Sequence, residues 1–185
     1  MIDIKVDEKA QEMVKNILSE IPRGAEKSLR EGFRAGAKAY EKTSDEESTK
    51  IYAISPADIK KGGKAKISSY GTSASVTYSG NKIELFKFAG RPKMPVQGAK
   101  VYAQQVRSSS GGIFPHAFVA MMRSGHTGIF ERKSGNGRLP ITEMQAVARA
   151  QMAGRSDVAE KANEAAREKS TEAIDRAISE ILNKY

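Results

Sequence analysis

Phe118-Val119-Ala120-Met121-Met122-Arg123-Ser124-Gly125-His126-Thr127-Gly128-Ile129-Phe130-Glu131-Arg132-Lys133 sets two short apolar runs on either side of a glycine-bearing turn, Arg123–Gly128. That pattern predicts a β-hairpin. Upstream, Ala65-Lys66-Ile67, Ala74–Tyr78, Ile83–Phe86 and Val101–Val106 alternate with a period near two, and Tyr52 and Ile54 begin the same pattern. Half-buried antiparallel strands read this way. Ser79-Gly80-Asn81 predicts a hairpin connection, Gly90–Pro95 an irregular entry to the next strand, and Arg107–Gly112 a flexible loop. A second glycine turn lies at Ser134–Gly137, and Leu139-Pro140-Ile141 leads into helical sequence from about Thr142.

The flanks are helical by spacing. Val6, Ala10, Met13, Val14, Ile17, Leu18 and Ile21 mark one buried stripe, at i, i+3, i+4, i+7. Pro22 is expected to end this helix or to open the next. Leu29, Phe33, Ala37 and Tyr40 continue a stripe to about Lys42, with Gly24, Gly32 and Gly36 small enough to admit another element. The acidic run Ser44–Ser48 reads as a solvated loop. At the other end, Val158, Ala162, Ala165, Ala166, Ala173, Ile174, Ala177, Ile178, Ile181 and Leu182 mark the face of a long helix, with a start near Ser156-Asp157. The order helix, sheet, helix predicts one α+β domain over 1–185. N-terminal helices span 1–43, a central antiparallel β-rich segment 50–141, and helical sequence including the long C-terminal helix 142–185.

Charge follows the same partition. The 185 residues carry a net charge of +9. Residues 56–140 hold 14 basic and 3 acidic groups, and also 12 of the 16 glycines and 5 of the 6 prolines, so a turn-rich basic centre lies between near-neutral flanks. The chain has no cysteine, which excludes disulfides, thiolate catalysis and zinc ribbons. No apolar run approaches the ~20 residues of a membrane span. The first residues alternate charged and apolar and do not resemble a signal peptide. The expectation is a soluble chain with no membrane partner and no need of an oxidising compartment.

No catalytic or cofactor constellation emerges. His126 lies in a glycine-flanked turn, with Ser124 two residues before it and Glu131 five after, but the spacing does not define a triad and no G-x-S-x-G elbow is present. A structural hydrogen bond from His126 is the simpler expectation. With Asp58, Glu84 and Glu131 the acidic residues of the centre, and His116 ten residues from His126, no metal site is expected. No enzymatic activity is expected either. Central lysines and arginines such as Lys60, Lys61, Lys64, Lys82, Lys87, Arg123 and Arg132, interleaved with aromatics, would attract polyanions. No RNP motif, zinc finger or helix-turn-helix accompanies them.

Phe118 to Gln145 also resembles the minor tail protein Z family of tailed bacteriophages and prophages. The resemblance lies in an aromatic strand entering S-G-H-x-G-[IV]-F-x-R, a short basic glycine loop, and R-L-P-I. Here these are Ser124, Gly125, His126, Gly128, Ile129, Phe130 and Arg132, then Arg138, Leu139, Pro140 and Ile141. Gln151-Met152 and Val158–Lys161 are similar to the family's last helix and its approach. The resemblance implies a structural role in tail completion or assembly, located in the virion tail and, during assembly, in the bacterial host cytoplasm. Partners would be other tail subunits and further copies of the chain, a ring being one form, with DNA contact left open. Ser124, Gly125, His126, Gly128, Phe130, Arg132, Arg138, Leu139 and Pro140 are the implied partner-contact candidates. The other reading is a basic module that binds nucleic acid.

Overall fold

Helix α1 (Glu8–Ile51) is continuous for 44 residues in the computed structural model, which describes residues 8–70, 73–133 and 140–183. It passes through Pro22 and through the acidic run expected to be a loop. An interior proline costs ~3 kcal/mol, and the helix outweighs it with packing further along. The acidic run is helical because its charges find partners more than a hundred residues away. Ser44, Asp45, Glu47 and Ser48 are all buried.

The α+β architecture is as expected, and the contacts of the chain group into two compact units. The first comprises described residues of Met1–Tyr40, Ile67–Val76 and Asn163–Tyr185. Within it, the glycine face of α1 meets helix α4 (Ser156–Leu182). A Cβ at Gly24 would lie 2.7 Å from Ile181 Cδ1, and one at Gly36 would lie 2.7 Å from the Ala166 carbonyl oxygen. A Cβ at Gly32 would overlap the side chain of Ile174. The glycines thus offset their lower helix propensity by letting the two helices approach closely.

The second unit comprises Glu41–Lys66 and Thr77–Ala162. Its core is built from Tyr52, Ile54, Ile59, Ile83, Leu85, Phe88, Val101, Ala103, Val119, Ile129, Ala146 and Met152. Tyr52 makes one antiparallel bridge to Val106 and no strand forms there. The chain turns into a short helix α2 (Pro56–Lys61), whose N-cap Ser55 Oγ accepts a hydrogen bond from the Asp58 N–H at 3.1 Å. The Ser-Pro start of this helix is a legible signal that the alternation reading overrode.

Strands β1 (Lys64–Tyr70) and β2 (Ser73–Ser79) pair with each other, whereas β3 (Lys82–Glu84) pairs with β9 (Gln145–Ala148). Ser79-Gly80-Asn81 is therefore not the expected hairpin connection. It takes Gly80 through φ +144°, where glycine carries little strain. The strand predicted over 83–86 stops at Glu84 and continues as a 3-10 turn, Leu85–Lys87. Strand β4 (Val101–Ala103) pairs with β5 (Gly112–Phe114). The intervening segment is pinned rather than free: Gln104 Nε2 donates to the carbonyls of Val106, Arg107 and Ser109, and Tyr102 Oη donates to that of Ser110.

The hairpin at 118–133 forms as expected. Strands β6 (Ala117–Met121) and β7 (Thr127–Arg132) run antiparallel, with Phe118 opposite Phe130 and Met121 opposite Thr127. Helix does not begin at Thr142. Residues 141–148 form two strands, β8 (Ile141–Glu143) on β7 and β9 on β3, and helix α3 starts at Arg149 (Arg149–Ala153). Their backbone groups satisfy the open edges of β7 and β3, a pairing invisible to local propensity.

Arg149 is the most consequential residue of this unit. Its side chain is 4% exposed. It grips Asp45 with two hydrogen bonds, of 2.9 and 2.6 Å, and also donates to Glu41 at 2.9 Å and to the Gly63 carbonyl at 3.0 Å. The guanidinium lies 5.2 Å from the centre of the Tyr78 ring, and the Tyr78 hydroxyl is hydrogen-bonded to Ser44 at 2.6 Å. Burial works to lower the Arg149 pKa, but the bonds to Asp45 and Glu41 raise it above the ordinary arginine value. Nearby, Glu47 pairs with Lys161 at 2.8 Å and with Lys50. The Lys161 ammonium, then that of Lys50, holds the Glu47 carboxyl below its ordinary 4.5.

Two expected outcomes follow from these pairs. Arg149→Met leaves Asp45 buried without its cation and should cost about 3–5 kcal/mol in urea unfolding, an expectation refuted by a loss near zero. The Glu47 pKa is lower folded than unfolded, so its contribution is complete above the unfolded value and is lost as pH falls through the folded one. The stability gap between the parent and Glu47→Gln should thus be wider at about pH 7 than at about pH 3.

Candidate functional site

The hairpin turn is closed by hydrogen bonds from Met122 N to the His126 carbonyl at 2.7 Å and from Gly125 N to the Met122 carbonyl at 2.9 Å. Gly125 adopts φ +82°, a conformation that side chains disfavour. Beyond the turn, period-two alternation places His126, Gly128, Phe130 and Arg132 on one face and Thr127, Ile129 and Glu131 on the other. Phe118 and Glu143, each opposite Phe130 in the register, share the first face. Its aromatic centre comprises Phe118 and Phe130 with centroids 6.2 Å apart, the Arg132 guanidinium 5.2 Å from the Phe118 centroid, and the His126 ring edge-on to Phe130 at 6.4 Å.

His126 makes the expected hydrogen bond, and its partner is a carboxylate. His126 Nε2 lies 2.7 Å from Glu143 Oε1. A side chain at Gly128 would overlap Glu143 Oε1, so this glycine clears the path between strands for the carboxylate. Glu84 joins the pair from another sheet. Met144, between β8 and β9, donates its N–H to the Ile129 carbonyl and accepts from Leu85 N, both at 2.8 Å. That one residue ties the β7 edge to the β3 edge and sets Glu143 beside Glu84. The β3–β9 register shifts between Lys82 and Glu84, an irregularity of the kind that re-aims a side chain.

One potential ligand atom each from Glu84, His126 and Glu143 lies within 4.8 Å of the other two. Glu84 Oε2 is buried and accepts no hydrogen bond, and Lys87 Nζ approaches it to 3.8 Å. The three residues open onto a cleft of about 880 Å³ that is also lined by Lys60, Lys61, Lys64, Lys82 and Lys87. The arrangement offers two chemistries: carboxylates and an imidazole that can surround a cation, and an outer ring of ammonium groups that can face an anion.

The family-like residues divide by position. Ser124 and Gly125 are exposed at the turn, Arg132 is exposed on β7, and Pro140 is exposed with its carbonyl accepting from Lys133 N at 3.2 Å. Gly128 and Phe130 are buried and His126 is half-buried, so these three build the site's interior. Arg138 and Leu139 lie outside the described residues. Glu131, the carboxylate nearest His126 in the upstream-bounded centre, is on the opposite face, and the carboxylates that reach the imidazole cluster are Glu84 and Glu143. Nothing local marks that pair, since 59 residues separate them. No family model, curated protein or solved structure matches the chain.

Gly128→Ala should drive the Glu143 carboxylate away from His126 at a cost in stability below about 1 kcal/mol, because the atom displaced is the free end of a flexible side chain. Denaturant titration together with imidazole nitrogen NMR of His126 checks this. An unchanged His126 environment would refute the role given to Gly128.

Proposed function

We propose that the chain is a structural subunit of a bacteriophage or prophage tail, acting in tail assembly or completion by binding other tail proteins. The observation that carries this reading is the motif stretch itself. Of the residues resembling the minor tail protein Z family, those from Ser124 to Arg132 lie on one hairpin, whose interior positions hold the sheet face together and whose turn, Arg123-Ser124-Gly125, is exposed. A rigid hairpin with a charged tip is a suitable contact element, since little backbone ordering is lost on docking. Apolar side chains that a partner would cover are also exposed, among them Met121 beside the turn, Ile113, Met94 and Val96. The likeness is one of sequence and rests on the residues named above.

A second reading, a nucleic-acid-binding module, draws on the five lysines of the cleft. Salt dependence separates the two, because phosphate neutralisation releases counterions and makes affinity fall steeply with salt.

The test is incorporation into particles. Tails assembled with the Arg123→Glu, Arg132→Glu double variant should contain much less of the chain than tails made with the parent, while circular dichroism of the purified variant stays unchanged. Equal incorporation, or complete tails without the chain, refutes the tail role. Duplex binding that drops by roughly 10³-fold or more between about 50 and 200 mM salt, with no tail association, supports the second reading instead.

A further inference from the structure

We propose that Glu84, His126 and Glu143 form a binding site for a first-row divalent metal ion of the Zn2+ class. This goes beyond the assembly reading and does not depend on it.

Three observations carry the proposal. First, the three side chains come from separate elements, β3, the hairpin turn and β8, and still bring their ligand atoms within 4.8 Å of one another. Ligand bonds of ~2.1 Å put neighbouring donors on a tetrahedral ion ~3.4 Å apart, so small side-chain rotations close the set. Second, Glu84 Oε2 is, among the described residues, the one buried side-chain polar atom without a hydrogen bond. The Lys87 ammonium lies 3.8 Å from it, beyond hydrogen-bond reach, and a cation bound by Glu84 and its two neighbours supplies the direct contact this oxygen lacks. Third, Glu143 Oε1 occupies the space beside His126 that a side chain at residue 128 would take.

The donor set selects the ion. One imidazole nitrogen with two carboxylates suits Zn2+ and its first-row neighbours, whereas Mg2+ and Ca2+ prefer oxygen-only shells. In the metal-free chain, His126 Nε2 and Glu143 Oε1 are hydrogen-bonded at 2.7 Å. Binding replaces that hydrogen bond: the neutral imidazole coordinates through the Nε2 lone pair with its ring proton on Nδ1, and a Glu143 carboxylate oxygen coordinates beside it. Two carboxylates offset the two positive charges, so the loaded site is itself neutral within a cleft lined by lysines. Three protein ligands leave at least one coordination position open towards the cleft.

The experiment is calorimetric titration of ZnCl2 into the full-length chain after chelator treatment, repeated with CoCl2 and followed by visible absorption. The parent and His116→Asn should each bind one equivalent, and MgCl2 should give no saturable heat. Glu84→Gln and His126→Asn should weaken Zn2+ binding by at least about 10–100-fold, with circular dichroism reporting an unchanged fold. X-ray absorption of the zinc-loaded parent should show a single imidazole in an otherwise oxygen shell, a readout that does not rely on any variant. Absence of saturable binding by the parent, undiminished binding by the Glu84 and His126 variants, loss of binding in His116→Asn, or a shell with no imidazole would each overturn the proposal.

Discussion

The second unit depends on the buried pair between Arg149 and Asp45. Removing two opposite charges from water costs several kcal/mol per ion before any attraction is counted. The cost is met here by saturation: the guanidinium serves Asp45 through two parallel bonds, reaches Glu41 and the Gly63 carbonyl, and lies against Tyr78. One side chain at the start of α3 thereby fixes the last turns of α1, the entry to β1 and the end of β2. Those segments have no hydrophobic pattern strong enough to set their positions, and a planar fork with fixed bond directions does so.

The same pairing explains why the central charge is left uncompensated. The acidic groups that could have neutralised it are committed elsewhere: Glu41 and Asp45 to Arg149, and Glu47 to Lys161 and Lys50. These are contacts of flank with flank. Among the described residues, Lys87 is the one central lysine or arginine within ion-pair reach of a carboxylate. The excess of basic groups between 56 and 140 is thus available to the cleft, and the cleft's electrostatic character follows from where the acidic run of α1 is spent.

How much of this was legible in the sequence depended on whether the deciding contact was local. The hairpin was, because its two runs and glycine turn lie within sixteen residues. The α+β class and the close approach to the α1 glycines were legible for the same reason, through helical spacing and small side chains. The helical path of Ser44–Ser48 was not, since five polar residues read as solvent-facing until Arg149 and Lys161 are placed beside them. Residues 141–148 look helix-compatible alone, and become strands because β3 and β7 present unpaired edges. The carboxylate cluster illustrates the limit most clearly: a count of acidic residues bounded at 140 omits Glu143, and only the pairing of β3 with β9 makes Glu84 its neighbour.

The hairpin motif nevertheless contains the register information that the cluster requires. His126, Gly128, Phe130 and Arg132 share a face because side chains alternate strictly along a strand. Phe130 is opposite Glu143, so the carboxylate emerges over Gly128 and next to His126. A slip of β8 by one residue would exchange faces, sending Glu143 away and presenting Thr142 or Met144 in its place. Met144 opposes that slip twice, by its N–H to Ile129 and by its carbonyl to Leu85, and both bonds would be lost together. The position of Glu143 beside Glu84 is therefore as well determined as the sheet itself, which is the condition a set of converging ligands must meet.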